Sequence, residues 1–179
     1  MSFQSKSILK TVAVTLLCGL LAACQTTGLK PGSIQTNYAP AGWTKKTSNG
    51  FTGYVCHAPR CKSDRLIAHG PVKVSGDMEK AIKDGVLSRE LFNAIANVYN
   101  IASKDQEKIT ITRRVVKKDY AGFDFTAYFK DREGRIWMTG RFIIQDNRGS
   151  VLVAASRSRS VANTYFKRYL SNTTIKRLP

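Results

Sequence analysis

The sequence predicts an α+β domain in which an antiparallel sheet is flanked by helices. From Ile109 to Phe129 apolar and polar residues alternate, which is the period of a β-strand. Two tetrapeptides that end in glycine, Asp131–Gly134 and Asp146–Gly149, are typical of the turns between strands. Helical spacing of apolar residues occurs before and after this region. Strands joined by short turns pair in order, so we expect a meander with one face under helices.

The elements before the meander follow from local patterns. Two strands are predicted, at Phe51–His57 and Leu66–Ser75, and Gly70-Pro71 is expected to break the second one. Asp77 to Lys83 predicts a short helix that ends at Gly85.

A longer helix is predicted to begin after Ser88, which can cap it, with Glu90 in its first turn. Apolar residues recur there at helical spacing: Leu91, Ile95, Val98, Tyr99 and Ala102.

The four strands of the meander are predicted at Ile109–Val116, Phe123–Phe129, Arg135–Gln145 and Val151–Ala155. Ser160 is predicted to cap a closing helix. The apolar stripe of that helix consists of Val161, Tyr165, Phe166, Tyr169 and Leu170.

The first residues have the features of an export signal. Lys6 and Lys10 precede a short apolar segment, Thr11–Leu21, which is too short to span a membrane. This segment ends in Leu21-Ala22-Ala23-Cys24, which resembles the lipobox of bacterial lipoproteins. The alternative is an ordinary signal peptide beside an unrelated cysteine. Residues 1–23 are therefore predicted to be removed.

The lipoprotein resemblance implies that Cys24 becomes the first mature residue, with diacylglycerol on its sulfur and an acyl chain, such as palmitate, on its amino group. Two or three buried acyl chains hold a protein on a membrane stably, whereas one does not. Gln25 follows Cys24, and in proteobacterial lipoproteins a residue other than aspartate there implies transfer to the outer membrane. The domain is then expected to face the periplasm.

Residues 24–50 are predicted to form a flexible tether. The segment is rich in Thr, Gly, Ser and Asn, and Pro31 and Pro40 disfavour a regular helix or strand. The alternative is that Ile34, Tyr38 and Trp43 dock on the domain, and we expect this at least of Trp43. Residues 51–179 are predicted to be a single α+β domain.

The last hundred or so residues resemble the PsbP/Mog1-like α/β/α sandwich domains. An amphipathic helix precedes a strand, Ala121-Gly122-Phe123 opens the next strand, and a terminal helix runs into Thr173-Thr174-Ile175. This resemblance implies the fold and no single activity.

Cys56 and Cys61 are predicted to form a disulfide. They are the two cysteines that remain once Cys18 leaves with the signal and Cys24 is acylated, and an exported protein meets an oxidising compartment. A metal site with His57 or His69, or a redox pair, is the alternative. A metal ion needs three or four converging ligands, and the chain has only two histidines, so no metal is expected.

Common catalytic motifs are missing from the sequence, including the serine-hydrolase, zinc-protease, dinucleotide and phosphate-loop patterns. Paired carboxylates are the remaining catalytic candidates: Asp119 with Asp124, or Asp131 with Glu133. Turn carboxylates are usually solvated, so we expect neither an enzyme nor a cofactor.

The chain is strongly basic, with 29 Lys and Arg against 12 Asp and Glu and a net charge of +17. The export signal argues against nucleic acid as the partner, and an anionic envelope component or a protein partner is expected instead. The candidate anion-binding residues are Arg157, Arg159, Lys167 and Arg168, expected to form one patch. Plain surface solubility is the alternative explanation of the charge.

These patterns predict a lipid-anchored, non-catalytic envelope protein. The alternatives are an enzyme, or an enzyme accessory, acting on the cell wall or on lipid, and an assembly subunit of an envelope machine. A large exposed apolar patch would favour the assembly subunit. The sequence leaves the oligomeric state open.

Overall fold

Nine strands and three helices make up the part of the chain that the computed structural model describes, residues 28–104 and 106–179. The helices are α1 (Met78–Lys83), α2 (Arg89–Ala102) and α3 (Arg159–Ser171). The strands are β1 (Ile34–Thr36), β2 (Thr44–Ser48), β3 (Phe51–Cys56), β4 (Arg65–Val72), β5 (Glu107–Val116), β6 (Ala121–Asp131), β7 (Gly134–Gln145), β8 (Arg148–Ser156) and β9 (Thr173–Ile175). The predicted signal peptide and lipobox lie outside the described residues.

Seven of these strands form one antiparallel sheet in the order β2-β3-β4-β8-β7-β6-β5. The predicted meander is present as β5 to β8, which confirms the α+β class. The sheet is larger than predicted because β2, β3 and β4 form a second meander, which joins the first where β4 pairs with β8.

The sheet is covered by helices on both faces. Phe123 and Phe125 of β6 belong to one apolar cluster, which contains Ile82 of α1 and packs against Phe92 of α2. Leu152 of β8 belongs to a second cluster, which contains Phe166 and Tyr169 of α3. Because side chains of a strand alternate between faces, these clusters are the two sides of one sheet. The layers are α1 and α2, then the sheet, then α3.

Gly122 marks a close approach within this sheet. A Cβ atom at this position would lie 1.9 Å from the carbonyl oxygen of Phe142 on the neighbouring strand, so only glycine fits there.

One of the two predicted helix caps, Ser88, is confirmed, and Asp77 caps α1 in the same way. The Asp77 side chain accepts a hydrogen bond from the Lys80 amide, and the Ser88 side chain accepts one from the Leu91 amide. The prediction for Ser160 is wrong, because α3 begins at Arg159 and its N-cap is Ser158, with no side-chain capping bond. Ser160 instead lies 3.0 Å from Ser158, hydroxyl to hydroxyl.

The prediction that residues 25–50 exclude regular strands is wrong for β1 and β2. Strand β1 pairs with β9 near the C-terminus, with Ile34 opposite Ile175. Strand β2 is the edge strand of the large sheet and pairs with β3. The pairing of β1 with β9 joins residues far apart in sequence, which local composition does not reveal. By contrast, β2 and β3 form a local hairpin around Asn49-Gly50, a dipeptide typical of such turns. Docking of Trp43 is confirmed, since its ring lies 4.8 Å from that of Tyr165. Residues 24–27 lie outside the described part.

The predicted break of β4 at Gly70-Pro71 is also wrong. The strand continues to Val72, and Pro71 pairs with Ser150 of β8. Pairing between β3 and β4 ends at Thr52 and His69, so the missing N–H of Pro71 faces no partner strand on that side.

Candidate functional site

Helix α2 is fastened to the edge of the sheet by two asparagine side chains. The amide of Asn93 donates to the carbonyl of Ile111 at 2.9 Å and accepts from its N–H at 2.8 Å. Asn100 makes the same pair of bonds with Ile109, at 3.1 and 2.9 Å. Because these asparagines lie seven residues apart, two helical turns, they point to the same strand. The outer backbone groups of β5 are thereby satisfied at Ile109 and Ile111.

The predicted apolar stripe of α2 lies on the opposite side of this helix, in solvent. Ile95 is 58% exposed, Val98 70% and Ile101 78%. The residues that face the sheet are Phe92 and Ala96, together with the two asparagines. We define the outer face of α2 as Leu91, Ile95, Val98 and Ile101, with Val86 and Tyr99 beside it. The sequence predicts this helical spacing, but it does not predict that these side chains face solvent.

The outer face of α2 is uncharged in a very basic protein. Between Glu90 and Ser103 the helix carries no charged residue. Charged residues border it at both ends: Arg89 and Glu90, which pair with each other, before it and the exposed Lys104 after it. An apolar area with a charged border is the usual composition of a protein-binding surface.

The predicted basic patch is divided among several environments. Arg157 binds Asp131 at 2.5 Å and Glu133 at 2.8 Å, so its charge is neutralised. Its guanidinium lowers the pKa of the Asp131 carboxyl. Lys167 and Arg168 are exposed on α3.

Arg159 does not extend a strand next to Arg157, because it begins α3. Its guanidinium lies 5.4 Å from the ring centre of Trp137. The Trp137 ring also contacts Tyr128, at 5.1 Å between centroids, and Arg135 lies 4.7 Å from the Tyr128 ring. This cluster was not among the sequence predictions. The predicted turn between β6 and β7 nevertheless sets the register that places Tyr128 opposite Trp137.

The carboxylates considered for catalysis are engaged by arginines. Asp124 accepts from Arg141 at 2.6 Å and from Arg113 at 2.6 Å, and Arg141 also donates to the Tyr120 hydroxyl. Asp131 and Glu133 are held by Arg157 as described. The oxygens of these three carboxylates are therefore occupied by arginine N–H groups.

Cys56 and Cys61 have their sulfur atoms 2.11 Å apart, which confirms the predicted pairing. His57 lies next to this loop, and its Nδ1 is 3.0 Å from Asp64. His57 and Ser156 line one cleft. The Ser156 hydroxyl accepts a hydrogen bond from the Ser158 amide, and among the described residues no hydrogen bond joins Ser156 to His57.

His69 lies in a different cleft, of about 300 Å³, between the N-terminal segment and β4. Its Nδ1 is 2.5 Å from the Tyr169 hydroxyl. Burial, and then the charge of Lys45, lower the pKa of His69. Ser150 in this cleft accepts a hydrogen bond from the Leu29 amide. His69 thus joins β4 to α3, and Ser150 attaches the N-terminal segment to the sheet.

No protein-family model and no curated protein matches this chain. Over residues 28–104 and 106–179, no group of three or more His, Cys, Asp or Glu side chains is placed to hold a metal ion. None of the helices in the described part is long and apolar enough to cross a bilayer.

Proposed function

We propose that this chain is a lipid-anchored, non-catalytic protein of the bacterial envelope that binds a partner protein through the outer face of α2. The observation that carries the proposal is the exposure of that face: Val98 and Ile101 are 70% and 78% exposed. Each aliphatic side chain of this size gains about 1.5–3 kcal/mol when it is fully buried. A row of them on a helix that is already attached to its own sheet favours a docking role.

The occupant that best fits this face is an apolar surface bordered by acidic residues on another envelope protein. The chain between Cys24 and Gly28 is too short to cover α2, because Gly28 packs at Pro71 of β4 and three strands separate β4 from β5. Two copies of this chain would bring like charges together, since Lys104 at the border is exposed and the chain carries a net charge of +17. An acidic border on the partner turns the same charges into attraction.

The lipid anchor is supported by the lipobox and is compatible with the docked N-terminal segment. Gly28 lies against Pro71, and the Leu29 amide donates to Ser150. Four residues from Cys24 to Gly28 span at most about 14 Å. The end of the sheet near Pro71 is then held close to the bilayer, while the remaining surface is available in the periplasm.

The enzymatic alternative receives less support from the side chains. Asp124, Asp131 and Glu133 are paired with arginines. Asp64 contacts the Nδ1 of His57, but no hydrogen bond joins His57 to a serine hydroxyl among the described residues. A general base must be free to accept a proton from substrate.

In-cell photo-crosslinking from the outer face of α2 tests this proposal. A photoreactive amino acid at Val98 should crosslink to one protein, whereas the same group at exposed Lys46 on β2 should not. Leu91 offers a second reporter position, and its crosslink should be lost when Val98 and Ile101 are changed to glutamate. Crosslinks that are equally strong at Lys46, or crosslinks to lipid alone from Val98, would contradict a protein partner. Unchanged thermal unfolding of the glutamate variant controls for its folding.

A further inference from the structure

Two arginines are held against an aromatic pair on the face of the sheet that carries α3. Arg135 lies 4.7 Å from the ring centre of Tyr128 and 5.9 Å from that of Trp137. Arg159 approaches Trp137 at 5.4 Å from α3. Cation–π contacts at exposed sites contribute about 0.5–1 kcal/mol each, and they restrict where a guanidinium points. The N–H groups of both arginines are therefore partly ordered before any ligand arrives.

Two lysines extend this basic and aromatic surface. Lys130 is the cross-strand partner of Arg135, and Lys108 is the partner of Tyr128. Strand alternation places both lysines on the same face as the aromatic pair. In the described part of the chain, none of the ion pairs includes Lys108, Lys130, Arg135 or Arg159. The four charges are thus not compensated there.

The nearest acidic residues are occupied by another arginine. Asp131 and Glu133 belong to the turn between β6 and β7, directly before Arg135. Arg157 binds both carboxylates. This arrangement keeps the turn from neutralising Arg135, and it explains why Arg157 is not part of the anion site although the sequence suggested it.

We propose that Arg135 and Arg159, positioned by Tyr128 and Trp137, bind carboxylates of an anionic envelope polymer, such as those on the peptide stems of the cell wall. A guanidinium matches a carboxylate with two parallel hydrogen bonds, and ring stacking leaves its edge free for them. Arg157 makes this type of bidentate contact with Asp131, at 2.5 and 2.7 Å. Lys108 and Lys130 add long-range attraction for a polymer with repeated negative charge.

The position of the cluster favours a ligand away from the anchoring membrane. Trp137 lies in one row with Ser156 and Arg65, at the start of β4. Gly28 lies at the other end of that strand, beside Pro71. Seven residues of strand correspond to about 23 Å. This step depends on the lipid anchor of the proposed function, whereas the chemistry of the cluster does not.

Co-sedimentation of the purified mature protein with cell-wall sacculi tests the site. We expect the parent to bind at physiological salt and the variant Arg135→Gln/Arg159→Gln to bind at least tenfold more weakly. The matched control Lys46→Gln/Lys167→Gln loses the same charge elsewhere and should stay within twofold of the parent. Trp137→Leu keeps every charge and should weaken binding severalfold. The thermal unfolding of each variant is measured beside it.

Chemical modification of the sacculi tests whether their carboxylates are the groups that bind. Sacculi whose carboxylates are converted to amides should no longer bind. Absence of parent binding, equal binding to amidated sacculi, or equal losses in the two double variants would overturn the proposal. Binding to anionic phospholipid vesicles but not to sacculi would also overturn it. Changes to the outer face of α2 should leave this assay unaffected, so failure of the protein-partner proposal is distinguishable.

Discussion

Asn93 makes two hydrogen bonds with the backbone of Ile111, one from each end of its side-chain amide, at 2.9 and 2.8 Å. A side-chain amide thereby takes the place of a neighbouring strand at the last edge of the sheet. Asn100 repeats the contact at Ile109. Unpaired strand edges are prone to associate with other chains. Helix α2 therefore protects this edge while it leaves its apolar side outwards.

Replacing Asn93 and Asn100 with leucine should destabilise the domain by about 3 kcal/mol, because four partly buried backbone groups lose their partners. Urea unfolding followed by circular dichroism measures the change. Asn97→Leu on the exposed side of α2 is the control and should stay within about 0.5 kcal/mol of the parent. Equal effects of the control and the double variant would refute this role of the asparagines.

Glu79 joins three parts of the fold, and its contribution should depend on pH. Its buried carboxylate accepts from Arg177 at 2.6 Å and from the Asp146 amide at 2.6 Å, and it pairs with Lys83. Burial alone would raise its pKa, but these bonds outweigh burial and place the pKa below its ordinary value of 4.5. The stabilisation is therefore complete above pH 4.5 and is lost as the pH falls through the lowered pKa.

Glu79→Gln should accordingly destabilise the protein by about 2–4 kcal/mol at neutral pH, since it leaves Arg177 and Lys83 without their shared partner. The difference from the parent should shrink as the pH falls below 4.5. Urea unfolding at pH 7 and pH 3 measures both values. A difference that is independent of pH would show that the lowered pKa of Glu79 contributes nothing to stability.

Cys56 and Cys61 should contain no free thiol in protein isolated without reductant. Their replacement by serine should cost about 2 kcal/mol, the chain-entropy value for so short a loop. Mass spectrometry after alkylation and thermal unfolding of the double serine variant are the two measurements. Alkylation of both cysteines before reduction would be inconsistent with the bond.

Cys24→Ser should prevent lipidation and release the protein from the membrane fraction, because no acyl chain then remains to hold it. Cell fractionation with immunoblotting measures the distribution, and the expected product is soluble or unprocessed. Inhibition of the lipoprotein signal peptidase should also block processing. If both treatments leave processing and membrane association unchanged, the lipid anchor is ruled out.

The sequence by itself determined the features that depend on neighbours along the chain. The period-two alternation and the glycine-ended turns predicted β5 to β8, the segment Asp77–Lys83 was predicted as the short helix α1, and capping by Ser88 predicted the start of α2. The pairing of Cys56 with Cys61 could also be predicted from the sequence, because the two residues are only five positions apart. Interactions of this range are specified by residue type and spacing alone.

The tertiary structure decided which side of each element is covered. Leu91, Ile95 and Val98 have the spacing of a buried stripe, yet α2 faces the sheet with Asn93 and Asn100, because the backbone edge of β5 requires hydrogen bonds more than apolar contacts. The stripe is consequently left in solvent.

Charge compensation was likewise decided by partners distant in sequence. Arg157 and Arg159 look equivalent in the chain, but a turn 24 to 26 residues away neutralises the first, and Trp137 on a neighbouring strand orients the second. The pairing of β1 with β9 has the same origin, since its residues meet only after the chain has folded. Residue type determines what a side chain can bind, whereas the tertiary structure determines which partner lies next to it.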